Sequence, residues 1–272
     1  MPIIEDITNA IKIQIKSLMP VNLDKECDKA AKTLQEFVFD SNLQVKNPII
    51  SPETIKKAKG LVILTIGKAG ISFTIRGGSG ILISRLSDGT WSAPSAVKTG
   101  GFGVGSQIGA EIIELVMVLT TNEAVKNFCE NENITLGGNL SVAIGEVGRA
   151  AEINSTVKNV SAIISYGKSK GAYVGMSVEG AVIQQNDDAN ATAYGKEVTV
   201  ENILNGNVPK PEYAKPLYNV LEKIEQYSNT KKITDKKTEN KTIEKTETPE
   251  KVEGQKDEKS DDKAETDDKK TQ

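Results

Sequence analysis

Apolar residues near the start of the chain recur with the period of an α-helix. Between residues 3 and 18 they lie three or four positions apart, at Ile4, Ile7, Ile11, Ile15 and Leu18. Lys12 and Lys16 fall outside this apolar stripe. The pattern predicts an amphipathic helix that ends before Met19-Pro20, because the residue before a proline disfavours helical backbone.

Two further helices are predicted before residue 60. The first has an apolar face formed by Cys27, Ala30, Ala31, Leu34, Phe37 and Val38. Its opposite, charged face is formed by Lys25, Asp28, Lys29, Lys32 and Glu36. The second helix begins at Ser51-Pro52-Glu53, which is a capping residue followed by a proline and an acid, and it ends at Lys59-Gly60.

After Gly60 the pattern changes from the period of a helix to that of strands. Aliphatic runs at 61–66 and 81–86, and the alternation of Ile71, Phe73 and Ile75 between them, predict three separate strands. Residues 87–90, with the sequence Ser-Asp-Gly-Thr, predict a hairpin turn ahead of Trp91. More strands are predicted at 108–119, 134–144, 151–157, 160–165 and 172–183, with a helix capped by Asn122 at 123–129.

Two helices are predicted to close this part of the chain. One spans 199–205 and ends at Gly206, and the other spans 216–227 with Leu217, Val220, Leu221 and Ile224 facing inward. Helices, then many strands, then helices is an order typical of an α+β fold with an antiparallel sheet. Such a sheet could also curl into a barrel.

The composition changes sharply after residue 228. Residues 229–272 contain 12 Lys and 13 Asp or Glu, and no aromatic residue. A segment with so little apolar surface cannot offset the entropy of ordering it, so we expect a disordered charged tail. The predicted organisation is an amphipathic segment at 1–20, a domain at 21–228 and the tail at 229–272.

Composition also narrows the chemistry. The chain has no histidine, which removes the usual general base and metal ligand, so we expect a non-enzymatic protein without a cofactor or metal. Residues 1–228 carry 22 Lys or Arg against 24 Asp or Glu, so no overall basic field favours nucleic acid. Cys27 and Cys129 form no CxxC motif, and no signal peptide or long apolar run is present. These features predict a cytosolic protein without a transmembrane segment.

Glycines are concentrated between Gly60 and Gly109, where 12 of the 23 occur. The run at 100–105 resembles a nucleotide-binding loop, but the dinucleotide fingerprint counted from Gly103 would require glycine where Ile108 stands. Glycines in a strand-rich region are more typical of bulges and of close backbone approach.

Several ordered motifs resemble those of the SYLF domain family. The most specific is Asp88-Gly89-Thr90-Trp91-Ser92-Ala93-Pro94-Ser95-Ala96. Others are Lys57-Ala58-Lys59-Gly60-Leu61, Gln107-Ile108-Gly109-Ala110-Glu111, Thr135-Leu136-Gly137-Gly138-Asn139 and Lys168-Ser169-Lys170-Gly171. The similarity extends from about Asn22 to Leu221.

This resemblance implies a lipid-binding module that prefers phosphoinositides and is linked to cortical actin and endocytosis. In several family members an amino-terminal amphipathic helix contacts the membrane, and some members bind actin filaments. The implied location is cytoplasmic, peripheral to the plasma or endosomal membrane. Asp24 departs from the family, which commonly has a basic residue there.

Three groups of residues are candidates for contact with anionic phospholipids. They are the amino-terminal set Ile4, Ile7, Ile11, Lys12 and Lys16, the helical set Lys25, Lys29 and Lys32, and the pair Lys168 and Lys170 in a predicted turn. Each group has a simpler interpretation, as part of the core or as ordinary surface charge. Arg76, Arg85 and Arg149 could likewise pair with acids such as Glu111 or Glu179, and Trp91 is expected to pack in the core.

Two other functions remain open at this point. The chain could be a scaffold that binds actin filaments through the same domain. It could instead carry an apolar ligand inside a barrel.

Overall fold

The computed structural model of the protein describes residues 22–39, 48–130, 134–143, 149–153 and 163–243. The helix predicted at 3–18, with Ile4, Ile7, Ile11, Lys12 and Lys16, lies outside the described residues. Of the tail predicted at 229–272, residues 244–272 also lie outside them, whereas residues 229–243 are helical. The chain divides into two units, residues 1–230 and residues 231–272.

The first two described helices confirm their predictions. Helix α1 spans Leu23–Val38 and buries the predicted apolar face. Helix α2 spans Pro52–Lys57. The Ser51 hydroxyl caps α2 by accepting a hydrogen bond from the Thr54 backbone N–H at 3.3 Å.

Two very long strands replace several of the predicted short ones. Strand β1 spans Gly60–Ser84 and strand β2 spans Ser95–Leu119, each of 25 residues. They pair antiparallel, with one irregularity between Ile71 and Phe73, where Ser72 has a φ of 60°. The sequence predicted three strands here because the polar and glycine residues between the aliphatic runs read as breaks.

Strand β1 folds back on itself around this irregularity. A Cβ at Gly78 would lie 2.2 Å from the Thr65 carbonyl oxygen, and one at Gly80 would lie 1.9 Å from that of Ile63. Only glycine permits backbones to approach this closely. Between β1 and β2, the predicted turn is confirmed, since the Leu86 N–H donates to the Thr90 carbonyl oxygen at 2.8 Å.

The remaining strands complete an open sheet. Helix α3 spans Asn122–Glu130, followed by β3 at Ile134–Ala143, β4 at Arg149–Ile153 and β5 at Ile163–Gln185. The cap of α3 is the Thr121 hydroxyl, which accepts from the Ala124 N–H at 3.1 Å, rather than the predicted Asn122. Strand β5 joins two predicted strands into one.

The five strands are ordered β1-β2-β5-β3-β4. All described pairings are antiparallel. This confirms the predicted α+β class with an antiparallel sheet. The suggestion of a barrel is wrong, because β1 and β4 are edge strands that do not pair with each other in the described ranges. A function as a carrier of an apolar ligand inside a barrel therefore loses its structural basis.

Short helices follow the sheet. Helix α4, which the sequence did not predict, spans Asp187–Tyr194, and α5 spans Val200–Leu204. Thr199 caps α5, and Gly206 follows it with a φ of 80°. After a 3-10 turn at Glu212–Ala214, helix α6 spans Lys215–Ile243 and continues past its predicted end at Tyr227.

Apolar clusters lie on both faces of the sheet. One packs α1 and α6 on the sheet through residues such as Leu34, Phe37, Ile63, Val116 and Leu221. The other packs α3 and α5 on it through residues such as Leu64, Met117, Phe128, Ile183 and Leu204. No helix in the described part of the chain is long and apolar enough to cross a membrane.

Candidate lipid-binding site

Three of the predicted lysines form a row on the solvent side of α1. Lys25, Lys29 and Lys32 are separated by four and three residues, so they share one helix face, opposite the buried Leu34. Lys25 and Lys32 are exposed and Lys29 is half-buried. Glu36 lies four residues beyond Lys32 and continues the row.

Lys168 and Lys170 lie within β5, not in the predicted turn, because β5 runs uninterrupted through both. They are two residues apart, so their side chains project from the same face of the sheet. The Lys168 ammonium is 2.7 Å from Glu36 Oε2, and that of Lys170 is 3.9 Å from the same atom. Glu36 therefore joins the α1 row to the two lysines of β5, and these five lysines are the lysine row.

Two carboxylates modulate the charge at the β5 end of the row. The hydrogen bond from Lys168 holds the pKa of Glu36 below its ordinary value. Burial raises the pKa of Glu114, which stands opposite Lys168 in the register of β2 and β5. Lys168 and Lys170 are therefore partly compensated by carboxylates, although Lys170 is exposed, and Lys25 and Lys32 are the exposed lysines that α1 contributes to the row.

Glu26 does not belong to the exposed acids of α1. Its side chain is buried, and its carboxylate accepts a hydrogen bond from the Ser79 hydroxyl at 2.7 Å. Lys29 Nζ lies 3.7 Å from the same carboxylate. Burial raises the pKa of Glu26 despite these contacts. A plain count of acids and bases along α1 therefore overstates the negative charge of its outer face.

The motif around Trp91 has a packing role. Trp91 is buried, which confirms the prediction, and the Arg85 guanidinium stacks 4.1 Å from its ring centroid. Arg85 also pairs with Glu225 of α6 at 2.7 Å. Arg85 thus pairs with an acid, as suggested, but the acid is Glu225 and not Glu111. Glu111 faces Lys68 at 3.5 Å, and both side chains are fully buried.

One surface feature was not predicted from the sequence. Seven large apolar side chains of β1 and β2 are exposed, namely Ile71, Phe73, Ile75, Phe102, Val104, Ile108 and Ile112. We call this set the apolar face. Its alternation resembled that of ordinary core strands. The sequence does contain one sign of this face: β2 has glycine at every second position, at Gly101, Gly103 and Gly105, on the side opposite the large residues.

Comparison with known proteins agrees with the SYLF motifs. A family model described as Ysc84, Las17-binding protein actin regulator, matches residues 100–224. An SH3 domain-containing protein of Schizosaccharomyces pombe is 46% identical over 205 residues, which is 75% of this chain and 48% of that protein. The body of this chain belongs to the Ysc84-type SYLF family.

Other relatives of this SYLF chain have similar coverage. LAS seventeen-binding protein 3 of Saccharomyces cerevisiae is 44% identical over 210 residues, covering 76% of this chain and 46% of that protein. SH3 domain-containing YSC84-like protein 1 of Homo sapiens is 42% identical over 212 residues, covering 78% and 62% respectively. The chain thus spans about half the length of the fungal relatives. No solved structure matches it.

Proposed function

We propose that this SYLF chain is a non-enzymatic peripheral protein that binds anionic, phosphoinositide-containing membranes next to the actin machinery. The observation that carries the proposal is the lysine row, which brings five of the ten predicted contact residues together. The implied setting is the cytoplasmic side of the plasma or endosomal membrane, in endocytosis. The amino-acid motifs of the family support the phosphoinositide preference.

The lysine row alone supports only weak binding. A lysine near an anionic leaflet contributes about 1 kcal/mol, and this decays within roughly 10 Å at ordinary ionic strength. Lys29, Lys168 and Lys170 already face carboxylates at 3.7, 2.7 and 3.9 Å. Lys25 and Lys32 therefore supply most of the attraction, and an apolar contact must add to it.

The predicted amphipathic segment is one source of that apolar contact. Ile4, Ile7 and Ile11 would enter the headgroup boundary, with Lys12 and Lys16 beside the phosphates. This part of the proposal rests on the sequence pattern alone. A deletion that tests it must stop before Asn22, because Leu23 and Cys27 of α1 are buried in the core.

Vesicle flotation of the full chain tests the lysine row. We expect the variant Lys25→Glu/Lys32→Glu to lose phosphoinositide-dependent flotation by roughly tenfold or more, since two charges are reversed. The matched control is Lys57→Glu/Lys196→Glu, which reverses two exposed lysines on other elements. Equal loss in both variants would show a general effect of net charge and would contradict the assignment of the α1 lysines as the lipid contact.

A gain-of-function variant sharpens the same test. Glu36→Gln removes the carboxylate that faces Lys168 and Lys170. We expect flotation to strengthen severalfold in low salt, with little change in stability because an exposed ion pair contributes only about 0–1 kcal/mol. Weaker flotation of a folded Glu36→Gln protein would mean that these lysines do not face the lipid.

Actin association is the second candidate function, favoured by the names of the relatives. The family model is described as an actin regulator, and one relative is named for binding LAS17. We expect the chain to co-sediment with actin filaments, with and without vesicles present. Retention of co-sedimentation in Lys25→Glu/Lys32→Glu would assign filaments and lipid to separate surfaces.

A further inference from the structure

The apolar face is unusual because its large side chains point away from the interior. Phe73 and Phe102 are 70% and 73% exposed, and Val104, Ile71 and Ile108 are each at least half exposed. The register pairs Ile71 with Ile108, Phe73 with Val104, and Ile75 with Phe102, so the set is contiguous across two strands. A contiguous exposed apolar set of this kind marks an interaction surface.

The opposite side of the same strands explains why the set stays outside. A Cβ at Gly101 would lie 2.3 Å from the Gly180 carbonyl oxygen, and one at Gly109 would lie 2.0 Å from that of Ala172. No side chain fits at Gly101 or Gly109, so a one-residue shift of β2 that brought Phe102 or Ile108 to these positions would drive it into the β5 backbone. The exposure of the large residues is built into the packing of the sheet.

The charge distribution around the apolar face identifies its partner. From residue 98 to residue 112, every second residue of β2 shares this face, and only Lys98, at one end, is charged. At the other end Ile112 pairs with Lys170, and β5 has no acid at the positions in register with the face, from Lys170 to Gln184. Among the described residues, the apolar face itself therefore carries no carboxylate, and it meets the lysine row at Lys170, beyond which Glu36 and Glu114 lie.

We propose that the apolar face inserts into the acyl boundary of an anionic bilayer, with Phe73 and Phe102 as its deepest residues. An apolar centre with a basic border complements an anionic lipid surface, in which acyl chains lie beneath the phosphates. A protein partner of mixed charge would not require a face without acids. This inference rests on the proposed membrane function. It assigns to the apolar face the apolar contact that must add to the electrostatic attraction of the lysine row.

Flotation of the full-length variant Phe73→Ser/Phe102→Ser tests the inference. The vesicles are phosphatidylcholine with and without phosphatidylinositol bisphosphate. We expect at least about tenfold weaker binding than wild type, with the preference for phosphoinositide retained. Circular dichroism and thermal melting confirm folding, which both exposed positions should tolerate. Ile49→Ser is the matched control, since Ile49 is 42% exposed outside the apolar face.

A second measurement reports depth directly. The introduced indole of Phe102→Trp should be quenched by brominated acyl chains and shift to the blue, whereas that of Ile49→Trp should not. Trp91 is buried and provides a constant background.

The outcomes separate the two proposals. Wild type that floats, with an unaffected double variant and no quenching, overturns the inserted face and leaves the membrane function standing. Wild type that binds no vesicle overturns both. A wild-type dimer that becomes monomeric in Phe73→Ser/Phe102→Ser, with binding unchanged, assigns the face to a second copy and also overturns insertion.

Discussion

At the scale of single residues, position on a helix does not decide what a charge does. Glu26 and Glu36 are both acids of α1, yet one is buried against Ser79 and the other lies between two lysines. Burial raises the pKa of Glu26, whereas the hydrogen bond from Lys168 lowers that of Glu36. The two carboxylates therefore affect stability in opposite directions as the pH changes.

Glu26 should make the protein less stable as the pH rises. Its folded pKa lies above its unfolded pKa, so the folded state holds the proton more tightly, and stability falls as the pH rises from the ordinary glutamate pKa to the raised one. We expect Glu26→Gln to gain stability relative to wild type between acidic and neutral pH. Urea unfolding at both pH values measures this.

Asp28→Asn, which neutralises an exposed acid of the same helix, controls for helix charge. A Glu26→Gln difference that stays constant with pH would contradict the assignment. Glu26→Gln keeps a side-chain oxygen that can accept the hydrogen bond from the Ser79 hydroxyl, so the comparison with wild type does not include the loss of this bond.

At the scale of elements, helices were more predictable than strands. The Ser51-Pro52-Glu53 start and the Thr199–Gly206 pattern are local signals, and both define real helices. The extents of β1, β2 and β5 were not predictable, because glycine-containing stretches that locally read as breaks are held extended by pairing with distant strands. Lys168 and Lys170 were placed in a turn for the same reason.

Neighbouring glycines of β2 allow a sharp test of this packing. Gly101→Ala places a Cβ 2.3 Å from the Gly180 carbonyl oxygen and 2.7 Å from the Ala181 Cα, so two backbones must separate. We expect destabilisation of about 1–3 kcal/mol or more, as for other overpacked interiors. Denaturant unfolding measures it.

Gly100→Ala is the matched control, because a Cβ there meets nothing within 4 Å. It should be neutral, or stabilising by about 0.4–1 kcal/mol through reduced freedom of the unfolded chain. Equal effects at the two positions would show that glycine content, and not the close approach of β2 and β5, limits stability.

At the scale of the whole molecule, the candidate site brings together residues that were predicted as separate groups in distant parts of the sequence. Lys25, Lys29 and Lys32 could be selected from helical periodicity, and Lys168 and Lys170 from a family motif. Their junction through Glu36 spans 132 positions of sequence, so only the fold reveals it. The apolar face is only hinted at by the alternating glycines of β2, since it is the pairing with the distant strand β5 that makes the glycine side the crowded one.

The boundary near Thr230 leads to a prediction about the tail. The buried residues of α6, Leu217, Leu221 and Ile224, all precede it. Deletion of residues 231–272 removes 12 Lys and 13 acids, so it hardly changes the net charge. We therefore expect unchanged melting temperature and vesicle flotation after this deletion. Flotation that falls in a protein of unchanged melting temperature would show that the tail is itself a binding segment.

A deeper truncation tests how sharp this boundary is. Ending the chain after Val220 removes Leu221 and Ile224, which are buried in the helix-packed cluster, and Glu225, the ion-pair partner of Arg85. Losing each large buried aliphatic costs about 2–5 kcal/mol, which together is comparable to the whole stability of a domain. We expect the protein truncated after Val220 to be unfolded by circular dichroism. If it melts like the full chain instead, the packing of α6 does not hold the domain together.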